Sequence, residues 1–146
     1  MNNRIHCIAC IITSDLKKQE NYIVSSNPNQ VIFPSFVIES PRALNNEIRY
    51  TVKNLFKPDV FKFIQEIVIS FTELQNDLLI SYVESLNNPE YDIKNDIFLL
   101  CGIVLHGKLP LENSKYHWNT FQYNFESNRM ANQIFIIDYV LQRLIV

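Results

Sequence analysis

Glycine is nearly missing from this chain: of 146 residues, only Gly102 and Gly107 are glycine. Walker-type and dinucleotide-type phosphate loops need several glycines so that backbone N–H groups can approach a phosphate, and neither loop can be written here. Charge of one sign is missing too. Thirteen Lys and Arg stand against fifteen Asp and Glu, a formal net charge of −2. No global field therefore draws the chain to nucleic acid or to an anionic membrane. Long apolar runs are also absent. The run Ile97–Leu105 (IFLLCGIVL) falls far short of the roughly 20 residues that cross a bilayer. Ile8–Ile12 (IACII) is too short for the core of a signal peptide. An intracellular protein that does not span a membrane is expected.

Cysteine is scarce. Cys7 and Cys10 have the CxxC spacing, and Cys101 with His106 (CGIVLH) offers further ligands for zinc. The objection is geometric. Ile5–Thr13 reads as a strand, and residues three apart on a strand face opposite sides of the sheet, so the two thiolates cannot share one tetrahedral ion. Buried free thiols and no metal are expected. No hydrolytic triad can be assembled either: His6, His106 and His117 are scattered, and no Ser or Cys sits in a recognisable nucleophile setting.

What is present is apolar bulk, 47% hydrophobic and 12% aromatic, enough for one globular domain over residues 1–146. The abundance of Asn, Ile and Lys fits an AT-rich genome. Along the chain, Ile5–Thr13 and Tyr22–Ser25 read as strands, and Val31–Glu39 as a strand with an edge or bulge at Pro34. Ser40-Pro41 is a helix start, with Ser as N-cap and Pro at the first helical position. Leu44, Ile48, Thr51, Val52 and Leu55 then fall on one helical face, and Lys57-Pro58 stops the run. Residues 59–86 allow either a hairpin around TELQND or two short helices, with strand favoured in the second half of VFKFIQEIVISF. Asp96–His106 reads as a buried strand and Tyr116–Tyr123 as a short aromatic segment. Ser127–Val146 reads as a helix with Met130, Ile134, Ile137, Leu141 and Leu144 on one stripe. The aromatic cluster Tyr116, Trp118, Phe121, Tyr123 and Phe125 suits core packing, with base stacking as the alternative.

This order resembles a Nudix domain, in which a mixed sheet is sandwiched between helices and carries a loop-helix-loop signature. Pro34 stands where a proline commonly precedes that signature, Glu39 matches a common extra acid, and Trp118 resembles a late tryptophan ahead of the last helix. The resemblance implies an α/β/α sandwich; another single-domain α+β fold is the alternative. Placing the signature at Pro34 removes its chemistry. Its glycine falls on Phe36, its first glutamate on Arg42, its Arg-Glu pair on Tyr50 and Thr51, and its Glu-Glu pair on Asn54 and Leu55; only Val52 fits. Hard divalent cations need charged oxygen ligands, which Asn and Leu do not supply. A non-catalytic domain without cofactor is expected, and a divergent diphosphate hydrolase would have to draw acids from Glu39, Glu47, Glu66 or Glu73.

Two surfaces are candidates for binding. Arg42, Arg49, Lys53 and Lys57 form a basic row opposite the apolar stripe of the first helix. It is either its solvated face or a metal-independent contact for nucleotide or RNA. Phe135, Ile136, Tyr139 and Val140 widen the apolar surface of the last helix beyond one stripe, which predicts a partner interface or self-association. An interaction or structural subunit of a larger assembly is the first functional expectation, and nucleotide or RNA binding the second.

Overall fold

The chain is organised around β1 (Ile5–Asp15), whose alternating side chains enter two separate cores. A computed structural model of the protein describes residues 4–15, 20–38, 44–57, 68–72, 76–112, 114–120 and 131–144. Within them lie β2 (Glu20–Ser25), β3 (Ser35–Ile38), α1 (Leu44–Lys53), β4 (Val68–Thr72), α2 (Asn76–Ser85), β5 (Ile97–His106), β6 (His117–Thr120) and α3 (Ala131–Leu144). The result is a small α+β domain with an open, mostly antiparallel sheet in the order β4-β5-β1-β2-β6. Its one parallel pair, β1 with β5, is central and runs from Ile5↔Ile97 to Ser14↔His106.

The other side of β1 is shared. Its C-terminal part pairs antiparallel with β2, from Ile12↔Ile23 to Asp15↔Glu20, and its N-terminal part with β3, from Ile5↔Ile38 to Ile8↔Ser35. Strands β2 and β3 thus lie end to end along β1, separated by residues 26–34. Pro34 explains why β3 is shorter than the expected Val31–Glu39 strand. It has no N–H to give to a ladder, and its carbonyl accepts the Ala9 N–H at 2.8 Å just before the regular pairing begins.

Even-numbered β1 residues Ile8, Cys10 and Ile12 pack with Leu79, Tyr82 and Val83 of α2 and Ile136, Ile137 and Val140 of α3. Odd-numbered Cys7, Ala9 and Ile11 pack with Ile48 and Val52 of α1, together with Leu55 and Phe56. Among the described residues, one helix therefore covers one face of the sheet and two cover the other. Cys7 and Cys10 sit on opposite faces, as strand geometry requires. Cys101 shares the face of Cys7, whose thiol is held protonated by its hydrogen bond to Cys101 and by burial.

The structure settles one open alternative and departs from the sequence reading at two points. Of the two alternatives left open for LLISYVESL, the helical one holds: it forms α2, because Leu79, Tyr82 and Val83 recur at helical spacing and are all buried. Asn87 then ends that helix at a left-handed φ of 51°, a conformation Asn tolerates better than most residues. The first helix stops at Lys53, ahead of Lys57-Pro58. The buried Leu55 and Phe56 pull the chain out of the helix, with Phe56 bridged to Leu111. On α3 the expected Ile134 and Ile137 are buried and Leu141 is half-buried against the same cluster, but Gln133, Ile136 and Val140 are buried with them, so the docking face is wider than one stripe. The Ser40-Pro41 cap and Met130 lie outside the described residues. No helix among those described is long and apolar enough to cross a membrane.

Candidate ligand-binding cleft

A cleft of about 390 Å³ opens beside β3 at the start of β1. That volume lies within the roughly 300–1,000 Å³ of small-ligand sites. Parallel pairing sets its chemistry. Register places His6 beside Phe98 on the neighbouring strand, and the imidazole stacks on that ring at 5.0 Å between centroids. Asp96, immediately ahead of β5, then stands next to the start of β1. Its Oδ2 lies 2.7 Å from His6 Nε2, which donates to it, and also accepts the Asp92 N–H at 3.1 Å. Its Oδ1 accepts the Arg4 N–H at 3.2 Å. One carboxylate ties the first strand, the fifth strand and the turn after α2. The hydrogen bond from His6 holds the Asp96 carboxyl below the ordinary carboxylate range, with the two backbone N–H groups acting in the same direction.

A prediction about acid stability follows from that direction. A carboxyl whose pKa is depressed by folding stabilises the protein fully above its unfolded value, about 3.9. That contribution disappears as pH falls through the lower folded value. The denaturant midpoint of the wild type should therefore drop as pH falls below about 4, and Asp96→Asn should flatten this dependence while lowering the midpoint at neutral pH. Equal pH slopes for the two proteins would show that the carboxylate is not the tie described.

Tyr91 closes the other side of His6, its ring edge-on at 5.0 Å, while its hydroxyl hydrogen-bonds Ser35 Oγ at 2.5 Å. The cleft is also lined by Arg4, Pro34, Phe36, Val37, Glu90, Lys115 and Tyr116. Its wall from Ser26 to Pro34 is organised by Ser25, whose buried Oγ lies 2.9 and 2.7 Å from the carbonyls of Asn27 and Gln30. The same oxygen accepts the N–H groups of Asn27 and Ile32. Asn119 Nδ2 of β6 donates to the same two carbonyls.

The sequence reading did not find this site, because His6 and Asp96 are 90 residues apart and only the β1–β5 register joins them. The one local signal was an acid directly ahead of a strongly apolar strand. The basic row is only partly assembled. Arg49 and Lys53 are exposed on α1, Lys57 is exposed but beyond the helix, and Arg42 lies outside the described residues. The four candidate interface residues of α3 are divided. Phe135 is 55% exposed, Tyr139 is half-buried beneath the Arg143 guanidinium, and Ile136 and Val140 are in the core. Those last two are corrected to core positions, since the two-helix layer covers them within the chain.

Trp118 and Tyr116 pack against the α1 face, with Trp118 Nε1 donating to the Leu109 carbonyl at 2.8 Å. Phe121, Tyr123 and Phe125 lie outside the described residues, as do Glu39, Glu66 and Glu73. Among the described residues no group of three or more His, Cys, Asp and Glu gathers to hold a metal ion. Compared with family models, curated proteins and solved structures, the chain matches none.

Proposed function

We propose that this chain is a non-catalytic, Nudix-like domain that works as an interaction or structural subunit of a larger assembly. The observation that carries this reading is the state of the reactive groups in the cleft. His6 is engaged by Asp96, Asp96 by three donors, and the Ser35 and Tyr91 hydroxyls by one another. Polar groups paired in this way hold a fixed shape, which suits a binding surface. The Nudix-like frame is supported by the order of elements, with a helix following a proline-led strand. Helices on both faces of a mixed sheet support it too. In that frame α1 would carry the metal-binding acids; its exposed residues are instead Asn45, Asn46, Arg49, Tyr50 and Lys53, and the half-buried Glu47 is its one acid.

That same surface supports a second reading. Tyr50 is 70% exposed between Arg49 and the Lys53 turn, so α1 offers two cations and a ring to a nucleotide or RNA without any metal. A single set of assays separates the readings. With Mg²⁺ or Mn²⁺ and a panel of nucleoside diphosphate derivatives and capped RNA, no metal-dependent turnover is expected. The protein purified from its native source should travel with a protein partner. Turnover abolished by one carboxylate substitution would overturn the non-catalytic reading in favour of a divergent hydrolase. RNA binding lost in Arg49→Glu/Lys53→Glu, and weakening with salt, would establish the α1 surface as the functional one.

A further inference from the structure

We propose that the cleft binds a small zwitterion of the amino-acid class, its ammonium received by His6 and Glu90 and its carboxylate by Arg4. The buried imidazole carries the argument. His6 is 3% exposed, and its Nε2 donates to the Asp96 carboxylate, which fixes the tautomer. In the neutral ring Nδ1 then carries the lone pair and accepts. Nδ1 has no hydrogen-bond partner among the described residues, yet no fully buried side-chain nitrogen or oxygen among them lacks one. Nδ1 is therefore open, and the opening is the cleft that His6 lines. An acceptor on a ring so enclosed selects a ligand that brings it a donor. The Ser35 and Tyr91 hydroxyls beside it hold one another at 2.5 Å, so neither stands free as a nucleophile for this nitrogen to activate.

Two opposite charges flank that nitrogen. Arg4 continues β1 by one residue, since its carbonyl accepts the Ile97 N–H at 2.8 Å. Strand alternation puts it on the His6 face, roughly 7 Å along the strand. Glu90 precedes Tyr91, whose ring meets the imidazole edge-on at 5.0 Å. Arg4 and Glu90 both line the cleft and are exposed. Among the described residues only their backbone groups are hydrogen-bonded, and neither side chain is in an ion pair. Lys115, the other cation of the lining, is already engaged. One guanidinium, one carboxylate and one imidazole acceptor are left for a ligand.

These three groups select the occupant together. A ligand carrying only negative charge would pair with Arg4 and meet repulsion from Glu90; one carrying only positive charge would meet the reverse. A ligand carrying both charges matches both. The ammonium belongs at the His6 end, because its three N–H donors can serve Nδ1 and the Glu90 carboxylate at once. The carboxylate then faces the Arg4 guanidinium, whose paired donors suit its two oxygens. A cleft of about 390 Å³ is on the scale of such a molecule.

The test is a titration of the full chain at low ionic strength, where exposed charges are least screened. The probes are α-amino acids and ω-amino acids, each beside its matched primary amine and its matched carboxylic acid. The readout is the pair of His6 imidazole nitrogen resonances. At least one zwitterion is expected to shift the Nδ1 resonance, and its single-charge analogues to bind about tenfold or more weakly. Glu90→Gln should remove the advantage of that zwitterion over its matched carboxylic acid, and Arg4→Gln its advantage over the matched amine. Both positions are exposed, so both variants should keep the fold. No shift of the Nδ1 resonance by any probe, or single-charge analogues that bind as tightly as the zwitterion, overturns the proposal. So does a preference for the zwitterion that survives in both glutamine variants, which would place it outside this cleft. Each of these failures leaves the interaction reading above untouched, since that reading is decided by the partner that travels with the chain.

Discussion

Val140→Glu is expected to unfold the protein, and Phe135→Glu to leave it folded. Both residues are on α3, five positions apart, and both belong to the apolar surface that the sequence offered as an interface. The structure separates them. Val140 is 3% exposed in the cluster formed by Ile8, Cys10, Ile12, Leu79, Tyr82 and Ile137, whereas Phe135 is 55% exposed. A carboxylate forced into that cluster meets no partner and costs several kcal/mol, against a total stability of about 5–15 kcal/mol for a domain. The same carboxylate at position 135 is solvated, and its effect should stay within about 0.5 kcal/mol. Urea unfolding followed by circular dichroism measures both. Cooperative unfolding of Val140→Glu at a wild-type midpoint would mean that α3 does not dock on this face. If Phe135→Glu stays folded but no longer travels with the native partner, the exposed ring belongs to the interface.

What was legible in the sequence was whatever is recorded within one element. Alternation in IHCIACIIT set the two faces of β1, and with them the separation of Cys7 from Cys10. The stripe Ile48, Val52 and Leu55 identified the buried face of α1, and the apolar run after Asp96 identified β5. On α3 the expected Ile134 and Ile137 are buried, but the width of the docking face, which takes in Ile136 and Val140, was missed for a physical reason. Ile134, Ile136, Ile137 and Val140 are all buried under a two-helix layer, so hydrophobicity spread round the helix carries little directional signal. The polar Gln133 is buried beside them because its Nε2 reaches the Val31 carbonyl, a contact no periodicity encodes.

The cleft was illegible for a different reason. Its defining pairs are His6 with Asp96, Ser35 with Tyr91, and Ser25 with Asn119 through shared carbonyls. Each joins residues from separate elements, and each depends on strand register or a turn that returns the chain. The Nudix resemblance directed attention to α1, where the family keeps its chemistry. In this chain the polar groups that converge are at the opposite edge of β3's pairing, around the start of β1.

Ser25→Ala is expected to cost roughly 2–4 kcal/mol, large for the loss of one oxygen atom. The reason is the number of backbone groups that oxygen serves. Ser25 is fully buried at the end of β2, accepts the N–H groups of Asn27 and Ile32, and lies against the carbonyls of Asn27 and Gln30. Removing it leaves the part-buried N–H groups of Asn27 and Ile32 without their acceptor, and each unsatisfied buried group costs about 1–3 kcal/mol. Asn119 still holds the two carbonyls, which limits the loss. The damage should be local as well as global. The turn from residue 26 to residue 34 joins β2 to β3 and forms one wall of the cleft, so hydrogen exchange should quicken at Ile32 and Phe33. Phe33 N–H is otherwise fixed by the buried Tyr82 hydroxyl at 3.0 Å. Ser26→Ala is the control: its backbone N–H, which donates to the Ile32 carbonyl, is kept, and the change should be within about 0.5 kcal/mol. Equal midpoints for the two alanine variants would mean that the turn holds its shape without the hydroxyl. A selective loss at Ser25, with faster exchange in the cleft wall, would show that this one side chain sets the geometry of the turn beside β3.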